Sequence, residues 1–133
     1  MADRETPTGF ESGFVPGRHI IDTYGNGGFR FAGMSHRGSI LALPSGIQAW
    51  DPMDARALTP ADFDAVFAEE PRVEFLIVGT GPDIIPLPET IRVRFREAGI
   101  SLDQMQTGAA ARTYNILVAE GRRAGAALIA VDK

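Results

Sequence analysis

The chain contains no cysteine and, apart from its last residue, no lysine. The missing cysteine excludes a disulfide scaffold, a Cys-ligated zinc site, an iron–sulfur cluster and a thiol nucleophile. The 13 basic residues are all arginine except Lys133, so no phosphate-binding Walker loop, which needs Lys after its glycines, is encoded. Histidine is scarce too. His19 and His36 have no second metal-type ligand two or four residues on, and a metal centre needs three or four donors. Ser35 beside His36 makes no catalytic triad. Long apolar runs are missing: the stretch Ala124 to Val131 is far below the ~18 residues that span a bilayer. A basic excess is also missing. The net charge of −4 argues against a dedicated nucleic-acid binder.

What remains is 133 residues, 44% apolar and 23% charged, which suits one domain able to bury a core without staples. The charge is unevenly spread. Residues 1–70 hold five Arg against ten acids, and residues 71–133 hold seven Arg and Lys133 against seven acids. The start, Met-Ala-Asp-Arg-Glu-Thr-Pro, is unlike a signal or transit peptide, and the expectation is a cytoplasmic, soluble protein.

Residues 1–17 carry Pro7, Gly9, Gly13, Pro16 and Gly17 and read as a loose N-terminal arm, with Phe10, Phe14 and Val15 as its apolar anchors. A single domain is expected over 18–133. Ile20 to Tyr24 reads as a strand, and Asn26-Gly27-Gly28 supplies the positive φ of a tight turn. Phe29-Arg30-Phe31-Ala32 then alternates with period two. Ser39 to Leu43 is a further strand that Pro44 stops, and Ser45 to Pro52, with the lone Trp50, reads as a loop. Thr59-Pro60-Ala61-Asp62 has the residue types of a helix start, with Phe63, Val66 and Phe67 on one face of a short helix ending near Glu70-Pro71. Val73 to Val78 suits a strand covered on both faces. The segment from Pro88 to Gly99 alternates at Ile91-Arg92-Val93-Arg94-Phe95-Arg96 like a strand. Its flanking start and stop residues, and Leu87, Ile91, Phe95 and Ala98 on one helical face, favour a helix. Ile100 to Met105 is a strand. Thr107 opens a helix through Arg123, with Ala110, Tyr114, Leu117, Val118 and Gly121 as its apolar stripe, and Ala126 to Val131 is a final strand. The back half thus runs strand, helix, strand, helix, strand, the order of a helix-covered parallel sheet. The front half adds an antiparallel meander.

Two glycine-bearing loops are the places for chemistry. Gly79-Thr80-Gly81 follows a buried strand, although a dinucleotide fingerprint would need a third glycine and an immediate helix. Thr107-Gly108 opens the long helix; Thr107 would cap it, the small residues leave its first turn open, and Arg112 can present a bidentate fork. In a parallel sheet both loops lie at carboxyl strand ends, where α/β clefts form. The expected ligand-binding set is Gly79, Thr80, Gly81, Thr107, Gly108 and Arg112, holding a small anion or phosphate, with Tyr114 and Asn115 as polar neighbours. The opposed expectation is tight helix–sheet packing with Arg112 in a structural ion pair. Trp50 is a packing anchor or an interaction residue. Arg92 and Arg96 share a helical face, without Arg94, and would dock an acidic partner or simply stay solvated. No catalytic residue, cofactor or metal is expected.

Several strings carry a family resemblance: Leu43-Pro44-Ser45-Gly46 with Trp50, Val73 through Gly81, Leu87-Pro88, Ala98-Gly99-Ile100, Thr107-Gly108-Ala109-Ala110-Ala111-Arg112-Thr113-Tyr114-Asn115 and Glu120-Gly121-Arg122-Arg123. Over residues 15–132 the chain resembles the domain-of-unknown-function family that includes the mitochondrial complex I assembly factor three. The resemblance implies an α/β fold of three layers, a central mixed sheet flanked by helices with an additional antiparallel β layer. It also implies a non-catalytic interaction protein, partnered with subunits or assembly factors of a membrane respiratory complex; the acidic net charge and the short apolar runs add the expectation of no nucleic acid and no direct membrane insertion. The alternative is a binder of, or enzyme on, a small anionic molecule.

Overall fold

A computed structural model describes residues 14–132. Six strands form one mixed sheet: β1 (Phe14–Pro16), β6 (Gly46–Trp50), β5 (Ser39–Leu43), β9 (Ala124–Leu128), β7 (Phe75–Gly79) and β8 (Ser101–Met105), in that spatial order. β7 pairs in parallel with both β8 and β9. β1, β6, β5 and β9 pair antiparallel. A separate three-stranded antiparallel sheet holds β2 (Thr23–Gly25), β3 (Gly28–Phe31) and β4 (Met34–Arg37). The helices are α1 (Asp64–Ala68), α2 (Glu89–Ala98) and α3 (Thr107–Ala119). The expected three-layer α/β fold with its extra antiparallel layer is what these elements build.

The local reasons are legible. Asn26 and Gly27, both at positive φ (54° and 77°), make the two-residue turn between β2 and β3, as twisted hairpins require. Ala32 and Gly33 repeat the device before β4 (52° and 76°), a turn the sequence reading did not mark. Asp62 accepts from the Thr59 amide at 2.8 Å and ties down the short 3-10 turn Pro60–Phe63 that leads into α1. Gly99 ends α2 in the left-handed conformation at φ 74°, which settles the 88–99 ambiguity as a helix. Ile91 and Phe95 face the core there, and the alternation that mimicked a strand comes from the exposed Arg92 and Arg96 and the half-buried Arg94 between them.

Some expectations shift. Ser45 to Pro52 is not a loop: Gly46–Trp50 is β6, central enough to pair with both β1 and β5. Its glycine start and small residues hid a half-buried strand. The strand expected at Ile20 to Tyr24 is confined to Thr23–Gly25, because the side chain of Asn115 binds the backbone of Ile21 in place of a neighbouring strand. The last strand starts two residues earlier than expected, at Ala124, and ends at Leu128. α3 stops at Ala119, and Gly121, assigned to its stripe, sits at φ 75° in the following turn. Phe14 to Pro16 of the expected arm belong to the sheet, with Val15 buried against it; residues 1–13, and with them Phe10, lie outside the described residues.

The sheet has a core on each face. One, under α1 and α2, gathers Trp50, Phe63, Val66, Leu76, Ile91 and Phe95. The other, under α3 and the small sheet, gathers Phe29, Phe31, Ala110, Ala111, Tyr114 and Ala126. With both faces covered, β7 reads as a continuous apolar run and β9 as a run of alanines.

Candidate functional site

The parallel strands β7, β8 and β9 all end on one side of the molecule, and the loops there meet the start of α3. Gly79 allows the meeting. A Cβ on it would stand 2.9 Å from Thr107 Cα and 3.0 Å from Leu128 Cδ2. Thr107 then locks the three strand ends together. Its hydroxyl donates to the Ile129 carbonyl at 2.7 Å and accepts from the Gly81 amide at 3.0 Å, and its own amide donates to Gly81 O at 2.9 Å. Thr107 is therefore not the cap of α3; that position belongs to Gln106, whose side chain makes no capping bond. Thr80 is used in the loop as well. Its hydroxyl donates to Asp83 O at 2.6 Å and accepts from the Ile85 amide at 3.0 Å.

Beside this lock lies a cleft of about 630 Å³, lined among others by Tyr24, Gly81, Gly108, Ala109, Arg112 and Asp132. Tyr24 crosses from the small sheet and packs so closely on Gly108 that a side chain there would collide with its ring. The roof is held by two backbone bonds, from Asn26 N to Asp132 O (2.9 Å) and from Gly27 N to Val131 O (2.8 Å). Met53, 60% exposed, overhangs the rim. Gly81, at φ 104° with open space where a Cβ would be, keeps the floor clear. Among the described residues the Gly108 and Ala109 amides find no acceptor, and the Arg112 side chain, which is exposed, takes part in no hydrogen bond or ion pair. Unpaired first-turn amides and a free guanidinium give this wall a positive character.

Of the expected ligand-binding set, Gly81, Gly108 and Arg112 line the cleft, while Gly79, Thr80 and Thr107 shape it from behind. Tyr114 and Asn115 do not line it. Tyr114 is fully buried, its hydroxyl donates to His19 O at 3.2 Å, and burial pushes its phenol up to about 12. Asn115 accepts from the Ile21 amide and donates to the Ile21 carbonyl, both at 2.8 Å. Trp50 is a buried anchor: its indole donates to Asp62 O at 2.8 Å and its ring packs on Phe63. Arg92 and Arg96 share an outer face of α2, and Arg94 turns away to Asp64 and the Phe67 ring. Tyr24, Met53 and Asp132 were not foreseen as cleft residues. The exposed aromatic one residue before a hairpin turn was the one available signal, for Tyr24.

Neither histidine stands in the cleft. His19 Nε2 lies 3.0 Å from Pro16 O, and partial burial lowers the basicity of His36. Among the described residues no three His, Asp or Glu side chains converge as metal ligands, and no helix is long and apolar enough to cross a membrane.

Comparison with known proteins gives consistent relatives. An uncharacterised protein of Rhodobacter capsulatus is 40% identical over 119 residues, covering 90% of each chain. The human NADH dehydrogenase [ubiquinone] 1 alpha subcomplex assembly factor 3 is 34% identical over 109 residues, 82% of this chain and 59% of the human protein. The chain thus spans about three-fifths of that relative. A crystal structure of an outer membrane protein from Bartonella henselae superposes with a TM-score of 0.83 at 52% identity, covering 87% of this chain and 98% of that one. A family model described as a protein of unknown function (DUF498/DUF598) matches residues 21–129. The chain belongs to that family, which it shares with complex I assembly factor 3.

Proposed function

We propose that this protein is a non-catalytic interaction protein assisting the assembly of a respiratory, complex I-like membrane complex, with subunits or assembly factors of that complex as its partners. The observation that carries the reading is its 34% identity, over 82% of its length, to assembly factors of NADH dehydrogenase. The chemistry of the site agrees with it. The groups facing the cleft include backbone amides, Arg112, Tyr24, Met53, Gln106 and Asp132, and among the described residues no hydrogen-bonded nucleophile–base pair stands there, which suits holding a partner better than breaking bonds. The test is a tagged pull-down from the native cell, paired with deletion of the gene. Recovery of respiratory NADH dehydrogenase subunits, with less assembled complex in the deletion strain, is expected. A specific set of unrelated partners, with normal complex levels, would overturn the reading.

A second reading is favoured by the cleft itself: a binder of, or enzyme acting on, a small anionic molecule. The anion would sit against the Gly108 and Ala109 amides and the Arg112 guanidinium. Thermal-shift titration with phosphate, carboxylates and nucleotides tests it. A stabilisation that Arg112→Ala removes is expected, and no shift at millimolar ligand sinks it.

A further inference from the structure

The far edge of the main sheet carries a surface that the cleft does not use. Among the described residues β8 is the last strand, hydrogen-bonded to β7 alone. The Ser101 amide donates to Glu74 O, and Met105 O accepts from the Thr80 amide. The odd-numbered residues of β8 therefore direct their peptide groups inward, and by strand periodicity Leu102 and Gln104 direct theirs outward. The outer edge thus presents an unpaired row of donors and acceptors, a template for another strand. The side chains of Leu102 and Gln104 also lie on the α2 side. With Ile100, Phe95, Arg92 and Arg96 they line a groove of about 390 Å³ beside that edge.

The charge of the groove selects the occupant. Glu89 is shared by Arg92 at 2.8 Å and Arg96 at 3.6 Å, so one carboxylate faces two guanidiniums whose side chains are 50% and 65% exposed. A surplus positive charge remains. On the opposite, α3 side of β8 stands the exposed Asp103. A second copy of the chain fits poorly. Two-fold pairing of two β8 edges sets each Arg92 and Arg96 against its own symmetry mate on one face, and the register centred on Asp103 opposes two carboxylates. A segment with acids at every second position fits both sides, because its acidic face meets the arginines and its other face avoids Asp103.

We propose that the β8 edge takes up an extended acidic segment of a partner protein as a seventh strand, its alternate carboxylates lying on Arg92 and Arg96. This rests on the reading of the chain as an interaction protein and names the chemistry of one partner.

The test is an NMR titration of the full-length ¹⁵N-labelled protein with the peptide Val-Glu-Val-Glu-Val-Glu-Val, end-capped. Two controls are its lysine counterpart and an isomer of the same charge with the glutamates consecutive. Strand addition predicts that the alternating acidic peptide shifts the Leu102 and Gln104 amides and slows their hydrogen exchange, while the lysine peptide does neither. The double variant Arg92→Glu/Arg96→Glu, both positions being exposed, should bind roughly tenfold or more weakly, the loss expected from reversing two exposed charges. Gln104→Pro, which deletes an outward donor, should block the exchange protection, with the remaining spectrum reporting that the fold is kept. Equal binding of the consecutive-glutamate isomer, shifts confined to α2, or concentration-dependent dimerisation through β8 would each overturn the proposal. A pull-down that recovers partners unaffected by both variants would overturn this surface while leaving the assembly reading standing.

Discussion

The two faces of the central sheet are built on opposite principles. Under α2 the core is made of volume: Trp50, Phe63, Phe67 and Phe95 pack ring against ring, with centroids 4.7–5.6 Å apart. Under α3 the contact between helix and strands is made of small residues. Ala110 and Ala111 of the helix share a cluster with Ala124 and Ala126 of β9 and Ala42 of β5, and large rings enter mainly from Tyr114 and the small sheet. The consequence is positional. An aromatic face is sensitive to lost contacts, because rings carry much buried area each. An alanine face lets the helix backbone come close enough for Thr107 to bond two other chain segments directly. The cleft stands at the end of the alanine face, where backbone proximity sets the geometry. The groove at the β8 edge stands at the margin of the aromatic one.

Four substitutions can break or sharpen this contrast. Phe95→Ala removes the ring that touches both Phe63 and Phe67 and should destabilise by about 3–5 kcal/mol in urea unfolding. A cost near that of a surface change would mean the aromatic cluster collapses to fill the gap. On the other face, Thr107→Val keeps the shape and leaves Ile129 O and Gly81 N without their hydroxyl partner, at about 2–4 kcal/mol. Amide shifts at residues 79–81 and 107–109 should accompany it. Gly79→Ala tests smallness directly. The added methyl meets Thr107 Cα, so it should cost about 1–3 kcal/mol by overpacking, and an Ala variant as stable as the parent would show that α3 can retreat freely.

The smallest effect is expected at Tyr114, the polar group inside the alanine face. Tyr114→Phe should cost about 1 kcal/mol for the bond to His19 O. Its pH signature is more telling. The folded protein holds the phenolic proton up to about 12, against 10.0 for a free tyrosine. Folded and unfolded chains are equally protonated below pH 10, so stability there is undiminished. As pH rises from 10 toward 12 the unfolded chain ionises first and stability falls. Unfolding curves between pH 8 and 11.5 should show this decline in the parent and a shallower one in the Phe variant.

Much of this architecture was legible because it is local. Asn26-Gly27 dictates a hairpin through its positive φ, Gly99 stops α2, and the apolar run after Pro71 requires a doubly covered strand. The order strand, helix, strand, helix, strand then places the carboxyl-end loops together, so Gly81, Gly108 and Arg112 are candidates on the sequence alone. β6 escaped because a strand beginning at Gly46 and interrupted by Gln48 and Ala49 has little alternation of its own; its identity comes from hydrogen bonds to β1 and β5. The roles of Thr107, Asn115 and Trp50 escaped for a related reason. A hydroxyl, an amide or an indole has the same local preferences whether it binds a ligand or a distant backbone group. The partners that decide, Ile129 for Thr107 and Ile21 for Asn115, lie 22 and 94 residues away. The sequence by itself determined the first hairpin, the strand–helix order of the back half, and the absence of thiol and near-absence of lysine chemistry, since these follow from composition and short-range sterics. Tertiary structure alone decided which polar groups are spent on the fold and which are left facing the cleft and the β8 edge, since hydrogen-bond satisfaction is settled by neighbours in space.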